Sequence, residues 1–376
     1  MAGKMKLGIV GQRGMVGQVL MERLITQKDL ENFEVTFLST SQKGQSNPYA
    51  QVLKNSDPLL KDAFDIKLLS SFDVILTCQG GDYTKEVHPK LRTEYNYKGY
   101  WIDAASTLRM QDQAIIVLDP INKSQIKDGL KNGVKDFVGG NCTVSLMMLA
   151  IGGLLEKGHV EWITSMTYQA ASGAGARHMN ELLTQMKYVT DHTMKEGVNL
   201  SEKILQVEKD VKGLITGPEF PKENFGYPLA FNLLPYIDSE LESGQSKEEW
   251  KACAEANKIL NSKTIIPIDG TCVRVGAMRC HSQGLTIKLN KDIPLNEIES
   301  MIKEHNEWVH FVPNNKPQTM SELTPAFASG TLSIPIGRVR QMNLGPRFIN
   351  AFTVGDQLLW GAAEPLRRML NILLEN

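Results

Sequence analysis

Five cysteines and seven histidines are the residues of this 376-residue chain that could carry nucleophilic or proton-transfer chemistry. The cysteines, at positions 78, 142, 253, 272 and 280, are odd in number, scattered and free of any CxxC spacing. They point to neither a disulfide framework nor a metal site, so each thiol is judged alone. Cys142 stands apart. In FVGGNCTVSLMMLAIGGLLEKG, residues 137–158, it follows Gly139, Gly140 and Asn141 and precedes a long apolar run. That places it in the first turn of a core helix capped by Asn141 or Thr143. A free thiol titrates near about 8.5, and a helix N-terminus or a nearby imidazolium lowers that by roughly one to several units. The position therefore favours a thiolate nucleophile, and the glycines let a substrate approach closely. It equally suits a small buried hydrophobe, the ordinary fate of a free cysteine, and position alone does not separate the two.

A covalent mechanism also needs a proton shuttle. His281, in RVGAMRCHSQG, lies in a strand-like stretch with Arg274 seven residues before it. A regular strand would point the two to opposite faces. If both serve one site, Gly276 or another point must break the alternation. A structural histidine is the alternative. Cys280 is a rival nucleophile but lacks the helix start and the glycine approach. TYQAASGAGARHMNELL, residues 167–183, reads as a strand-to-helix turn with glycines suited to cofactor or oxyanion contacts.

The elements that would hold these groups follow from periodicity. MKLGIV reads as a strand and VGQVLMERLITQKDL as a helix with Val16, Leu20 and Leu24 on one face. Between them Gly8, Gly11, Gly14 and Gly17 recur every three residues, a variant of the GxGxxG fingerprint that brings backbone close to a pyrophosphate at a helix N-terminus. Further strands are expected at 33–40, 72–81, 99–106 and 114–120, giving a Rossmann-like, parallel, doubly wound α/β sheet. The second strand ends in Ser39, Thr40 and Ser41, followed by Lys43, where an NAD site would carry an acid. Hydroxyls and a cation suit a 2′-phosphate, so NADP is the expected cofactor. After the apolar helix come longer strands at 160–172, 271–289 and 331–342, implying an α+β domain with a mixed sheet. The expected division is a cofactor domain over 1–140, a catalytic and dimerisation domain over 141–357, and a final helix, 358–376, packing back onto the first domain.

Lys and Arg number 41 against 42 acidic residues, without blocks of like charge. This balance argues against nucleic acid or an anionic membrane as the main partner. The longest apolar run is too short to span a bilayer, and Gln12 and Arg13 interrupt the amino end where a signal peptide would need an apolar core. A cytoplasmic protein is expected.

Taken together and in order, GQRGMVG, GGNCTVSLM, TYQAASGAGARHMNELLTQM and DGTCVRVGAMRCHSQ closely resemble bacterial aspartate-semialdehyde dehydrogenases over essentially the whole chain. The resemblance implies a homodimer that reduces L-aspartyl-4-phosphate with NADPH to L-aspartate 4-semialdehyde and phosphate, toward lysine, methionine, threonine and diaminopimelate. It implies that Cys142 is the nucleophile, His281 the acid/base and Gln169 the residue orienting the acyl group. Arg274 is implied for the substrate carboxylate, Arg109 and Lys251 for the phosphate, and Glu248 for the amino group. Implied cofactor contacts are Gly11, Arg13, Gly14, Met15 and Val16, then Thr40, Ser41, Gln79, Ser172, Gly173 and Gln357. Where relatives carry a proline in a later cofactor-contacting loop, this chain reads GVNLSEK. Alternatives are an N-acetylglutamyl-phosphate reductase, a cysteine acyl hydrolase or transferase, and a nucleotide-binding regulator without turnover.

Overall fold

Two sheets meet along one apolar helix in the computed structural model, which describes residues 3–194 and 200–375. The first comprises β1 (Met5–Val10), β2 (Phe33–Ser39), β3 (Lys61–Asp62), β4 (Val74–Thr77), β5 (Tyr100–Asp103), β6 (Ala114–Val117) and β7 (Asp136–Gly139). Every pairing is parallel, in the order β3-β2-β1-β4-β5-β7-β6. Strands such as VILT and AIIV are buried throughout, as a parallel sheet covered on both faces requires. The covering helices are α1 (Met15–Thr26), α2 (Ile66–Leu69), α3 (Gly81–Thr93) and α4 (Asp119–Lys131). Strand order reverses between β1 and β4, which opens the ligand crevice of this architecture at the carboxyl ends.

Helix α5 (Cys142–Glu156) follows β7 and is buried along nearly its whole length. A helix apolar on all sides must sit between layers, and α5 does, touching the second sheet and the helices Lys247–Leu260 and Leu295–Glu304. The second sheet contains β8 (Val160–Gln169), β9 (Leu233–Leu234), β10 (Ile268–Asp269), β11 (Cys272–Val275), β12 (His281–Leu289), β13 (Val309–Phe311), β14 (Ile334–Met342) and β15 (Gly345–Gly355). It is mixed: β8 runs parallel to β11 and antiparallel to β12. Around it lie α6 (Ala176–Thr193), α7 (Ile204–Thr216), α8 (Lys247–Leu260), α9 (Leu295–Glu304), α10 (Lys316–Glu322) and α11 (Pro325–Ala328).

A π-helical turn, Leu359–Ala363, leads into α12 (Glu364–Leu374). This last helix rests on α1, α4 and the strands of the first sheet. Arg367 pairs with Asp29 at 2.8 Å, Arg368 with Asp119 at 2.6 Å, and Arg23 reaches back to Glu364 at 3.0 Å.

Several strands end earlier than their apolar patterns suggest. The run 72–81 yields only Val74–Thr77, because Gly81 already begins α3. The stretch 271–289 divides in two around residues 276–280, and 160–172 stops at Gln169. Asp136–Gly139, not among the expected strands, is a full parallel strand. Of GVNLSEK, residues 197–199 lie outside the described residues. Among the described residues no helix is long and apolar enough to cross a membrane, and no cluster of His, Cys, Asp and Glu could hold a metal.

Candidate active site

Asn141, the N-cap of α5, fixes Cys142 in the first turn. Its Oδ1 accepts from the backbone N–H of Thr143 at 3.0 Å and of Val144 at 3.3 Å, satisfying helix donors that have no intrahelical partner. Its amide nitrogen donates to Glu248 at 3.0 Å. On the other side the π-helical turn presses Gly361 against the nucleophile: a methyl there would lie 2.7 Å from Cβ of Cys142. The same turn also touches α1. It thus joins the helix of the glycine turn to the helix of the thiol.

The second sheet supplies the opposite wall. Gln169 and Arg274 are register partners on the parallel strands β8 and β11, so their side chains share a face. Gln169 donates to Thr167 at 3.1 Å and to Glu248 at 3.3 Å. Arg274 donates to the Ala170 carbonyl at 2.8 Å and has no carboxylate within ion-pair distance among the described residues. The N–H of the same Ala170 donates to Nδ1 of His281 at 3.0 Å. The alternation between Arg274 and His281 breaks across residues 276–280, a stretch that bends at Gly276 and ends at Cys280 with a left-handed φ of 75°. Both side chains then reach Gly173, where a Cβ would stand 2.9 Å from Arg274 Nη1 and 3.0 Å from His281 Nε2.

A backbone N–H can only donate, so Nδ1 of His281 is an acceptor and the neutral ring carries its proton on Nε2. Burial, and next the Arg274 guanidinium, push this histidine down to about 3. Its Nε2 is buried without a hydrogen-bond partner. His281 is therefore a neutral donor, not an imidazolium beside the thiol.

Helix α8 adds the charged groups. A capping box between Ser246 and Glu249 starts it, and Glu248 and Lys251 then stand one turn apart, both buried. Lys251 donates to Glu248 at 3.0 Å and to Asp238 at 2.7 Å. Burial opposes both charges. The Lys251 ammonium and the Asn141 bond nevertheless hold Glu248 below the usual carboxylate range, while Glu248 and Asp238 hold Lys251 above its own. Arg109 approaches from the loop after β5. Its Nε donates to Gly139 O at 2.7 Å, Nη1 to Glu255 at 3.2 Å and Nη2 to Ala104 O at 3.3 Å. One N–H on each terminal nitrogen makes no other bond among the described residues, which matches two oxygens of a phosphate.

Cys142 itself departs from the sequence expectation of a lowered pKa. Burial, and next the negative Glu248, push the thiol up to about 12, against the opposing pull of Arg109, Arg274 and Lys251. The helix start alone does not make a thiolate here.

At the first sheet's crevice, Gly11 (φ 84°) lies so close to β4's exit that a Cβ would meet the Cys78–Gln79 peptide at 2.6 Å, and one at Gly17 would enter Gln12 and the Gly11 carbonyl. Gly14, Met15 and Val16 form the open mouth and first turn of α1. Arg13 donates to Ser41 at 3.1 Å and Ser39 at 3.4 Å, beside half-buried Thr40. Lys43 is engaged by Asp62 at 3.0 Å, so Arg13 is the cation seated on the hydroxyls. Gln79 and Gly173 are exposed at the ends of β4 and β8. Three polar atoms are buried without partners: Gln12 Nε2, Ser172 Oγ and Gln357 Oε1. Together with the glycine cradle they fit a dinucleotide reaching from the turn toward Cys142. Gln12 was not singled out from sequence, and neither was Glu255. A groove of 720 Å³ between α4, α5 and α8 shares no lining residue with this chemistry, whereas a 550 Å³ cleft lined by Ala174, His178, Tyr236 and Asp238 opens onto Arg274.

Comparison with known proteins places the chain in a family. Residues 6–129 match the family described as semialdehyde dehydrogenase, NAD binding domain, and residues 151–360 match semialdehyde dehydrogenase, dimerisation domain. The chain is similar to the structure of an aspartate semialdehyde dehydrogenase from Francisella tularensis, at 50% identity over 98% of this chain and 100% of that one, with a TM-score of 0.93. A Vibrio cholerae aspartate semialdehyde dehydrogenase II complexed with ASA shares the fold at 21% identity and a TM-score of 0.77, over 100% and 99% of the two chains. So does the Candida albicans enzyme with NADP, at 16% identity and 0.65, over 99% of each.

Proposed function

The chain belongs to the semialdehyde dehydrogenase family, and from that premise we propose that it catalyses NADPH-dependent reductive dephosphorylation of L-aspartyl-4-phosphate to L-aspartate 4-semialdehyde. The observation that carries the reading is the seat of Cys142, an N-capped thiol among Arg109, Lys251 and Arg274. Its homologue from Francisella, alike over the whole chain, bears the name of this activity.

Arg274 pairs with the substrate carboxylate in the bidentate geometry a guanidinium offers. Glu248, kept ionised, receives the amino group. The two remaining N–H groups of Arg109 and the third N–H of Lys251 hold the phosphate, and Gln169 orients the acyl group. With the acyl carbon so placed, Cys142 Sγ attacks it as the thiol proton passes to the departing phosphate, whose C–O bond breaks with the bonding pair going to the phosphate oxygen, giving a thioester. The cationic groups stabilise both the developing thiolate and the leaving phosphate. The His281 Nε2–H donates to the oxygen that becomes negative when the thioester is reduced. Collapse of the resulting thiohemiacetal then frees aldehyde and thiolate.

NADP is the cofactor this site favours: its reduced form, NADPH, would supply the hydride, and Gly11, Arg13, Gly14, Met15, Val16, Thr40, Ser41, Gln79, Ser172, Gly173 and Gln357 would hold it. Arg13 with the Ser39 and Ser41 hydroxyls would take the 2′-phosphate, where an acid would select NAD. Support for a homodimer comes from the dimerisation-domain match and from the outer face of β8, where Met166 and Tyr168 are exposed beside Phe352. The domain division at residues 140/141 and 357/358 belongs to the same reading.

Aspartate semialdehyde, phosphate and NADP together should yield NADPH absorbance, and omission of phosphate should abolish it. Turnover without phosphate, or preference for N-acetylglutamate semialdehyde, would overturn the assignment.

A further inference from the structure

Helix α8 presents a third buried charge toward the site. Glu248, Lys251 and Glu255 are spaced by three and four residues, one face of a helix. Glu255 is 2% exposed. Its Oε1 accepts from Arg109 Nη1 at 3.2 Å, and its Oε2 accepts from the backbone N–H of Asn141 at 2.6 Å. One carboxylate thus holds a guanidinium of the first sheet's loop and the residue that caps the nucleophile's helix.

We propose that Glu255 is a positioning residue that locks the phosphate-binding face of Arg109 in register with Cys142. The argument rests on the function proposed above for these two residues. Arg109 has five donors; Gly139, Ala104 and Glu255 take three, and the direction of the remaining pair is set by those anchors. Two of the anchors are neutral carbonyls, one at 3.3 Å, so the charged one fixes the fork most strongly. Because its second oxygen holds Asn141, a displacement of the arginine is transmitted to the cap of α5, and binding of phosphate is coupled to placement of the thiol. A glutamine at 255 is isosteric but has a single acceptor oxygen. Its amide nitrogen would face either the guanidinium or the Asn141 N–H, donor against donor.

The test uses alkylation of Cys142 by iodoacetamide, followed by peptide mass spectrometry, with inorganic phosphate as protectant, so no turnover is required. In Glu255→Gln the phosphate concentration giving half-protection should rise roughly tenfold, the loss of one charge-assisted hydrogen bond, with NADPH affinity unchanged. A purely structural role would not split phosphate from NADPH in this way. In an Arg109→Lys background the same substitution should add little, since its effect runs through the guanidinium. Glu255→Asp, which withdraws the carboxylate by one methylene, should show the same weakening if the amide variant fails to fold. Unchanged phosphate protection in either folded variant, or a full additional loss in the Arg109→Lys background, overturns the proposal. Wild-type protein that is protected by phosphate in a Glu255-dependent way yet turns over no aspartate semialdehyde would refute the proposed function and leave the positioning role standing.

Discussion

The two arginines that flank Cys142 are held in opposite ways. Arg109 is braced by two backbone carbonyls and by the Glu255 carboxylate, so its charge is compensated before any ligand arrives. Arg274 has a single carbonyl contact, to Ala170, and no carboxylate within ion-pair distance among the described residues. Burial lowers its affinity for its own proton. One cation is built into the fold; the other waits for a counter-charge. A rigid fork suits a phosphate that must be held and released in one orientation. A buried guanidinium with no direct ion-pair partner suits recognition, because a ligand carboxylate can pair with it.

This contrast can be broken at graded cost. Both arginines serve one thiol, so Cys142→Ala should lower turnover by about 10⁴-fold or more while NADP binding, followed by fluorescence titration, persists. Retained turnover would mean that the arginines surround the wrong group. Next, Arg274→Lys should cost about 10²-fold in kcat/KM for the semialdehyde, since a point charge replaces a bidentate fork. Its melting temperature should stay near wild type, because no ion pair is lost. Arg109→Ala should behave differently. It strands buried Glu255 and should remove about 3–5 kcal/mol of stability, read from urea unfolding, while raising the KM for phosphate. Equal stabilities for the two arginine variants would erase the distinction.

The smallest effect concerns pH. His281 is held near 3, well below the ordinary 6.5, so the unfolded chain binds a proton that the folded chain refuses between these values. Its neutral burial therefore contributes stability above about pH 6.5 that declines as the pH falls toward 3. His281→Gln should flatten that acid limb of the melting-temperature profile. Arg274→Gln should flatten it partly, because the guanidinium is the next cause after burial; an unaltered limb in both variants would contradict this account of the histidine.

What could be read from the chain follows from how local each signal is. The cap and glycines around Cys142 lie within a few consecutive residues, and so do the strand, turn and helix at Gly11. Arg109, Glu248 and Lys251 lie in polar, charged segments that carry no local mark of burial. Only the resemblance marked them, because their burial results from α8 packing against the end of the first sheet. Glu255 carried a faint mark, its helical spacing from Glu248 and Lys251. The convergence of Arg274 and His281 depends on the break across residues 276–280, which includes a left-handed Cys280, a conformation that a non-glycine residue does not announce. The thiol's raised pKa has the same origin: a helix start is visible in sequence, whereas desolvation and the Glu248 charge are products of the fold.

The central claim is that the acyl group is transferred to Cys142 between the two arginines. The direct measurement is to mix the protein with aspartyl phosphate without NADPH, quench in acid and map the acyl adduct by mass spectrometry. An aspartyl thioester on Cys142, formed with release of phosphate and absent from Cys142→Ala, is the expected result. An adduct on another cysteine, or full turnover with no thioester on any, would contradict the account.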